Sequence, residues 1–252
     1  MIPPRTLKQR YAEAAETGRP LLGGHRGNPA EFPENTMASF RSAIELGMDM
    51  IECDVHQSAD GRMVVIHDHS VDRTTNGTGM VRDLSWDELQ ELDAGHGERL
   101  PLLEEVIDLA CEAGVGLCIE IKQIPIPYPG IEQQVVDALR ERDMVGQAAV
   151  ISFYHASCKL LKEIEPALQV GILEGARPID PVRLLHEAGS DIYAPHYGAM
   201  DLELVQSIHA NGGVVGVWTV DDPGGVLWCQ YCKPDSVFTN RPREVGPLLR
   251  RG

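Results

Sequence analysis

Apolar and polar residues alternate along this chain in two rhythms. Nine short runs are rich in β-branched and other apolar residues and have the length of strands: 20–25, 48–55, 63–67, 115–122, 147–153, 168–173, 190–195, 213–218 and 235–239. Between most of them, as in "PVRLLHEAG" (181–189) and "LELVQSIHANGG" (202–213), apolar residues recur at the spacing of an amphipathic helix. Alternating strands and helices predict an α/β fold with a parallel sheet.

The second and third runs do not fit this alternation. Between them lies only "HQSADGR" (56–62), which is too short for a helical crossover and contains the turn-forming pair Asp60-Gly61. We therefore expect an antiparallel hairpin there, which leaves eight strands connected by helices. Eight such units predict a (β/α)8 TIM barrel, with residues 1–252 as a single domain.

Two further segments lie outside the repeat. Residues 68–114 form a long excursion between the second and third barrel strands, and we expect a small insertion subdomain or lid at the barrel mouth. Residues 1–19 form an N-terminal extension, for which "MIPPRTLKQRYAEAAETGR" predicts an exposed leading helix.

Composition narrows the class of partner. The 252 residues include 22 Lys and Arg against 38 Asp and Glu, and the net charge of −16 would repel a polyanion, which argues against nucleic acid. No run approaches the ~18 consecutive apolar residues of a membrane span, and the first residues lack the apolar region of a signal peptide. We expect a cytoplasmic protein without stable membrane insertion.

The six cysteines follow no regular spacing, and a chain of this length does not need disulfides to fold. Buried free thiols are therefore expected. Cys229 and Cys232 form a lone CxxC, which is either part of the core, a redox pair or half of a zinc site.

In a (β/α)8 barrel, the side chains that carry chemistry lie at the carboxyl ends of the strands, here called the rim. Glu52 and Asp54 share one face of a strand because they are two residues apart, and Glu120 ends the next barrel strand. Three converging carboxylates need neutralisation, either by a divalent cation, Mg²⁺ or Ca²⁺, or by ion pairs. The basic side chains available for such pairs are Arg26, Lys122 and Arg73.

Two histidines, His25 and His67, end the first strand and the hairpin strand. Such a pair can divide the work of general base and general acid near neutral pH. Arg26 and Lys122, with a metal ion, would surround phosphate oxygens with positive charge, so the rim predicts a phosphate ester as substrate. Four aromatic residues either contact the alcohol part of that substrate or simply pack: Tyr128, Tyr154, Tyr197 and Trp218.

The tetrad "PENT" (33–36) follows the first strand. Pro33 fixes φ in a turn, and Asn35 is expected to cap the helix that begins with "MASF". Glu34 is not needed for capping, and we expect it to hold His25 or Arg26 in position.

Taken in order, these segments resemble the glycerophosphodiester phosphodiesterases, whose barrel is shared with phosphatidylinositol-specific phospholipases C. The similar segments are "HRG" (25–27), "PENT" (33–36), "IECDV" (51–55), "MVVIHDHSVDRTTNGTG" (63–79), "LPLLEEVIDLA" (100–110), "IEIK" (119–122), "ISF" (151–153) and "VWTVDD" (217–222). They extend over about residues 20–242. Their order along the chain is far more specific than any one of them.

The resemblance implies an enzyme that uses one divalent cation to cleave a glycerophosphodiester into glycerol 3-phosphate and an alcohol. By position, it implies Glu52, Asp54 and Glu120 as metal ligands and His25 and His67 as the acid/base pair. The expected phosphate-binding or substrate-binding residues are Arg26, Lys122, Glu34, Asn35 and, from its place at the rim, Trp218. In the mechanism inferred for the family, the glycerol 2-hydroxyl attacks phosphorus, a histidine protonates the leaving alcohol, and water opens the cyclic phosphate. The excursion 68–114 corresponds to the family's small insertion over the active site.

Two positions depart from the family pattern. "TNRP" (239–242) stands where "TDYP" is common, so Asn240 and Arg241 replace an acid and an aromatic residue. We expect this to affect local contacts more than activity. Leu102 stands where threonine is common, which removes a helix cap.

Several alternatives stay open on the sequence alone. The same site would serve a lysophospholipase D, a phospholipase C type enzyme or an enzyme for a sugar-phosphate diester. A metal-dependent amidohydrolase is disfavoured, because the first strand ends in "HRG" rather than HxH. A binding protein that keeps the pocket as a sensor is disfavoured, because every expected ligand and base is present. The sequence does not select the alcohol, the oligomeric state, or Mg²⁺ over Ca²⁺.

Overall fold

The computed structural model describes residues 5–250. Within them the strands and α-helices follow one another in the order α1 (Leu7–Thr17), β1 (Leu21–Gly24), α2 (Met37–Glu45), β2 (Met50–Gln57), β3 (Met63–Val65), α3 (Trp86–Leu89), α4 (Leu103–Ala113), β4 (Gly116–Ile121), α5 (Ile131–Glu141), β5 (Ala148–Ser152), α6 (His155–Ile164), β6 (Gln169–Glu174), α7 (Pro181–Glu187), β7 (Ile192–Pro195), α8 (Leu202–Ala210), β8 (Val214–Val217), α9 (Pro223–Cys232), β9 (Ser236–Thr239) and α10 (Pro242–Leu249). Short 3₁₀ helices occur at Val81–Asp83, Val145–Gln147 and Tyr197–Ala199.

Eight of these strands run parallel around a closed barrel. β1 pairs with β2 on one side and with β9 on the other, and this double pairing closes the ring. β3 pairs antiparallel with β2, with Val65 opposite Val55, so the predicted hairpin is present. The (β/α)8 barrel predicted from the sequence is confirmed, and each predicted strand overlaps an observed one.

The strands are buried on both faces, which explains why they appear in the sequence as continuous apolar runs. One apolar cluster fills the barrel interior and includes Met50, Cys118, Ile151, Leu173 and Phe238. A larger cluster lies between the strands and the surrounding helices. Gly23 is required inside the barrel, because a Cβ there would overlap the ring of Phe238.

The leading helix α1 is not simply exposed, as the sequence suggested. Leu7, Tyr11 and Ala14 are buried, and Leu7 and Tyr11 join the apolar cluster of the barrel interior. The Tyr11 hydroxyl lies 3.3 Å from Ser236 Oγ at the amino end of β9. The helix therefore covers the end of the barrel opposite the rim, and the face that carries its charged residues is exposed. Residues 1–4 of the predicted extension lie outside the described residues.

The segment between β3 and β4 has two parts. Residues 66–102 surround a small apolar cluster of their own, to which Ile66, Val71, Val81, Leu89 and Leu100 contribute. α4, which the sequence analysis assigned to the excursion, packs against β3 and β4 as a barrel helix does. It begins without a side-chain cap at Leu102, although Glu105 accepts a hydrogen bond from the Leu102 N–H.

Among residues 5–250, no helix combines the length and the apolar character that crossing a membrane requires.

Candidate active site

The turn after β1 brings His25 and Arg26 to the rim. The His25 N–H donates to Thr239 O over 2.9 Å, which ties the end of β1 to the end of β9. Arg26 has a positive φ of 54°, and its N–H donates to Glu52 Oε2 over 2.8 Å. These bonds place the Arg26 side chain over the carboxyl end of β2.

Asn35 also belongs to this turn, but its role in the fold differs from the prediction. Thr36, not Asn35, caps α2: its Oγ1 accepts a hydrogen bond from Ser39 N. Asn35 is buried with φ 57°, and its Nδ2 donates to Asp54 Oδ2 over 2.8 Å. A polar side chain that could have capped the helix instead contacts a carboxylate at the rim.

The carboxylates of Glu52, Asp54 and Glu120 converge inside the barrel because β2 and β4 are in register, with Asp54 opposite Glu120. One oxygen from each lies within 4.8 Å of the others, and all three side chains are buried. Burial, together with Asp54, raises the pKa of Glu52 well above its usual range. Burial also raises the pKa of Glu120, to about 7. These raised pKa values reflect the cost of burying carboxylates close to one another, which the fold must offset.

Ion pairs neutralise only part of this cluster. Lys122 Nζ lies 2.9 Å from Asp54 Oδ1 and 2.6 Å from Glu120 Oε1, and Arg26 Nε lies 3.3 Å from Asp54 Oδ2. Burial alone would raise the pKa of Asp54, but the two cations lower it. Glu52 Oε1 is buried and accepts no hydrogen bond from any described residue.

This unpartnered oxygen shows that the donor set suits a cation. Carboxylate oxygens are the ligands that Mg²⁺ and Ca²⁺ prefer, and an unpaired buried oxygen is costly without one. The ion pairs with Arg26 and Lys122 leave this oxygen free, so these pairs and a bound cation can occur together at the carboxylate cluster. The three carboxylates could hold a metal ion.

The two histidines open onto the same cavity as Arg26, Glu52 and Lys122. His25 Nδ1 lies 2.7 Å from Asn240 Oδ1, and His25 Nε2 lies 4.0 Å from Glu52 Oε2. Burial and the charge of Arg26 lower the pKa of His25 to about 4. His67 follows β3, and burial lowers its pKa as well.

A chain of charged side chains connects the two histidine regions. Arg26 Nη1 lies 3.1 Å from Glu34 Oε1, and Glu34 in turn accepts two hydrogen bonds from Arg73, of 2.7 and 3.0 Å. Arg73 also donates to Asp68, whose Oδ1 lies 2.7 Å from His67 Nδ1. Of the two partners expected for Glu34, His25 and Arg26, it contacts Arg26.

Some residues of this region were missed in the sequence. His56 is buried, with Nδ1 2.9 Å from the Tyr128 hydroxyl and Nε2 3.0 Å from His67 O, so it supports the backbone of His67. A signal was available, because His56 continues the i, i+2 series of Glu52 and Asp54 on one face of β2.

The four rim aromatics have different surroundings. Trp218 lines the cavity, donates from Nε1 to Ala194 O over 2.9 Å, and meets Phe153 edge to face at 5.5 Å. Phe153 also lines the cavity, although it is not one of the four aromatic residues considered from the sequence. Tyr128 is buried against His56. None of the three rim tyrosines is among the residues that line this cavity: Tyr128, Tyr154 and Tyr197.

Two other features noted in the sequence are the CxxC pair and the residues at positions 240 and 241. Cys229 and Cys232 are free, buried thiols of α9, and burial raises the pKa of Cys229 to about 12. Neither belongs to a metal-binding cluster of the described residues. Asn240 reaches the site through His25, whereas Arg241 pairs with Glu244.

Comparisons with known proteins agree with this arrangement. The model of the glycerophosphoryl diester phosphodiesterase family matches residues 25–244. A glycerophosphodiester phosphodiesterase of Caldanaerobacter subterraneus subsp. tengcongensis is 36% identical over 239 residues, which cover 92% of this chain and 98% of that protein. Another, from Bacillus altitudinis, is 32% identical over 228 residues, with coverage of 86% and 93%.

Solved structures show the same barrel. A phosphodiesterase from Oleispira antarctica, in complex with the product sn-glycerol-3-phosphate, has a TM-score of 0.82 at 28% identity and covers 94% of this chain and 99% of its own. A glycerophosphodiester phosphodiesterase from Parabacteroides distasonis has a TM-score of 0.81 at 26% identity, with coverage of 92% and 98%. This chain therefore belongs to the glycerophosphoryl diester phosphodiesterase family of enzymes.

Proposed function

We propose that this enzyme hydrolyses glycerophosphodiesters to glycerol 3-phosphate and an alcohol with one divalent cation, Mg²⁺ or Ca²⁺. The observation that carries the proposal is the buried cluster of Glu52, Asp54 and Glu120, in which Glu52 Oε1 accepts no hydrogen bond from the described residues. Two basic side chains and two histidines line the same cavity: Arg26, Lys122, His25 and His67. The glycerol 3-phosphate bound to the Oleispira antarctica relative supports the same product class.

The charges of the site support a cation as cofactor. Three carboxylates face the single positive charges of Arg26 and Lys122, so the ionised cluster has one excess negative charge. A bound divalent ion reverses that sign, which suits the negative phosphodiester, and it supplies positive charge to the phosphoryl oxygens. Arg26 and Lys122 would bind phosphate oxygens, and Glu34 and Asn35 keep Arg26 and Asp54 in place.

The histidines divide the proton transfers. Both open onto the cavity, and the lowered pKa of His25 favours a neutral imidazole that can accept a proton near neutral pH. Burial also lowers the pKa of His67, but its hydrogen bond with Asp68 opposes that shift and stabilises the protonated imidazole that donates. In the route implied by the family resemblance, the glycerol 2-hydroxyl attacks phosphorus while losing its proton to one imidazole. The leaving alcohol takes a proton from the other histidine, and water then opens the cyclic phosphate. No serine or cysteine nucleophile is required.

A second candidate is a lysophospholipase D or another lipid or sugar-phosphate diesterase. Apolar side chains from the β5 to β8 part of the barrel line the same cavity as the charged residues: Ile151, Phe153, Leu173, Ala194 and Trp218. They favour an alcohol with an apolar portion. The small-molecule partner is common to both candidates, and the cytoplasmic location stays a prediction from the sequence.

The test is release of glycerol 3-phosphate from glycerophosphocholine, glycerophosphoethanolamine, bis(glycerol) phosphate and a lysophospholipid, with EDTA, Mg²⁺ or Ca²⁺. We expect turnover that EDTA abolishes and one of the ions restores. His25→Ala and His67→Ala should each lower kcat by about 100-fold or more, the scale of an acid/base group. His186→Ala, on the exposed face of α7, is the matched control and should retain full activity. Turnover that persists in EDTA, or in both rim variants, would contradict the proposal.

A further inference from the structure

A chain of hydrogen bonds runs from the loop after β8 to His25. Asp221, in that loop, accepts at Oδ1 from Asn240 N over 2.7 Å and from Thr239 Oγ1 over 3.0 Å. Asn240 Nδ2 donates to Asp221 Oδ2 over 2.7 Å, and Asn240 Oδ1 lies 2.7 Å from His25 Nδ1. Both the backbone and the side chain of His25 are thus held by the end of β9.

The carboxylate of Asp221 decides which end of the Asn240 amide faces His25. A carboxylate offers only acceptors, so the amide NH₂ group must face Asp221. The reverse orientation would bring two oxygens to 2.7 Å without a proton between them. The Asn240 oxygen therefore faces His25, and because a carbonyl oxygen cannot donate, the proton between them belongs to His25 Nδ1.

We infer that Asp221 and Asn240 are positioning residues that hold His25 in the tautomer with the proton on Nδ1. The lone pair then lies on Nε2, the nitrogen that faces the carboxylate cluster, 4.0 Å from Glu52 Oε2. This inference rests on the proposed function and deepens it, because it makes His25 the proton acceptor. As the attacking oxygen forms its bond to phosphorus, its O–H bond breaks and Nε2–H forms. As the ester bond breaks, the alcohol takes a proton from protonated His67.

The same geometry supplies a reciprocal test. In Asp221→Asn, position 221 can donate as well as accept, so the Asn240 amide is free to turn and both tautomers of His25 become accessible. In the double variant D221N/N240D, the amide and the carboxylate exchange places. The new amide then donates to the new carboxylate, whose second oxygen again accepts from His25 Nδ1.

The measurement is steady-state hydrolysis of glycerophosphocholine by the cation-loaded enzyme. Asp221→Asn should lower kcat at least about tenfold while KM stays within about twofold, because substrate contacts remain and the base is mispositioned. The double variant should recover most of the lost kcat. Asp222→Asn is the matched control: this neighbour accepts hydrogen bonds from Gly224 N and Gly225 N at the start of α9, and its kcat should be unchanged.

Full kcat in Asp221→Asn, or a double variant no more active than Asp221→Asn, would overturn the inference. Nitrogen NMR of His25 in the wild-type protein gives a reading that depends neither on turnover nor on the folding of variants. A proton on Nδ1 with Nε2 unprotonated supports the inference, and the opposite tautomer overturns it. A wild-type protein that hydrolyses no glycerophosphodiester would refute the proposed function, while the NMR reading would still decide the tautomer.

Discussion

Glu52 is the residue whose replacement separates cation binding from the stability of the barrel. Its Oε1 is buried without a partner, and burial beside Asp54 raises its pKa. Glu52→Gln keeps the side-chain shape and leaves an amide oxygen that can accept from Arg26 N, as Oε2 does now. It removes one of three buried negative charges. We expect this substitution to abolish the stabilisation that a divalent cation provides.

The size of the effect follows from the distances. Two unit charges 4.8 Å apart repel by about 3 kcal/mol at an effective dielectric constant of about 20. When the three carboxylates are ionised, ion-free wild type carries repulsion of this order, offset in part by Arg26 and Lys122. A cation at ~100 times its Kd adds about 2.7 kcal/mol, which for a domain of this size raises Tm by about 5 to 11 °C. The variant should be at least as stable as wild type in EDTA and gain under about 1 kcal/mol from the cation.

Thermal unfolding in EDTA, Mg²⁺ and Ca²⁺ measures both quantities. Glu132→Gln is the matched control, since Glu132 is also a buried carboxylate but is bonded to Gln123 and Ser157, away from the cluster. Whatever its own stability, this control should keep the full cation-dependent shift. An equal shift in Glu52→Gln, or no shift in wild type, would refute the assignment of the cluster as a cation site.

Three further substitutions test single contacts by urea unfolding. In the wild type, the 2.7 Å contact with Asp235 raises the pKa of His209 above its ordinary value of 6.5, and His209→Gln removes that contact. A raised folded-state pKa stabilises the protonated form. The loss in this half-exposed pair, under about 1 kcal/mol, should therefore be full below about pH 6.5 and should fade as pH rises through the raised pKa. Gly23→Ala should cost about 1 to 3 kcal/mol, because the new methyl overlaps Phe238. Thr36→Ala should cost about 1 kcal/mol through loss of the α2 cap.

Each of these has a clear contrary result. A destabilisation by His209→Gln that grows with pH would show that the contact with Asp235 does not favour the protonated imidazole. An unchanged unfolding midpoint in Gly23→Ala would mean that the barrel interior has room for a methyl group. Equal stability of Thr36→Ala and wild type would show that another group satisfies the first turn of α2.

The tetrad "PENT" (33–36) shows where prediction from the sequence reached its limit. Both Asn35 and Thr36 are good capping residues, and local preference does not separate them. The structure assigns the cap to Thr36 because Asn35 takes a positive φ and turns its amide to Asp54, 19 residues further along the chain. The deciding contact is with a different strand, so no local rule could have supplied it.

The leading helix is a similar case. Its apolar residues are few, and the sequence alone suggested an exposed helix. Leu7 and Tyr11 are nevertheless buried, because a closed barrel leaves an apolar opening at its amino end that some segment must cover. The need for that cover is a property of the closed ring and is absent from the helix itself.

The sequence by itself determined the class of fold, because runs buried on both faces alternate with amphipathic helices, and parallel strands bring their carboxyl ends to one rim. It also determined that Glu52 and Asp54 share a face, because side chains alternate along a strand. Only the tertiary structure decided the register of Asp54 with Glu120 and the bond from Asn240 to His25. The physical reason is that these contacts join segments far apart in the chain, and their geometry is set by barrel closure and strand stagger.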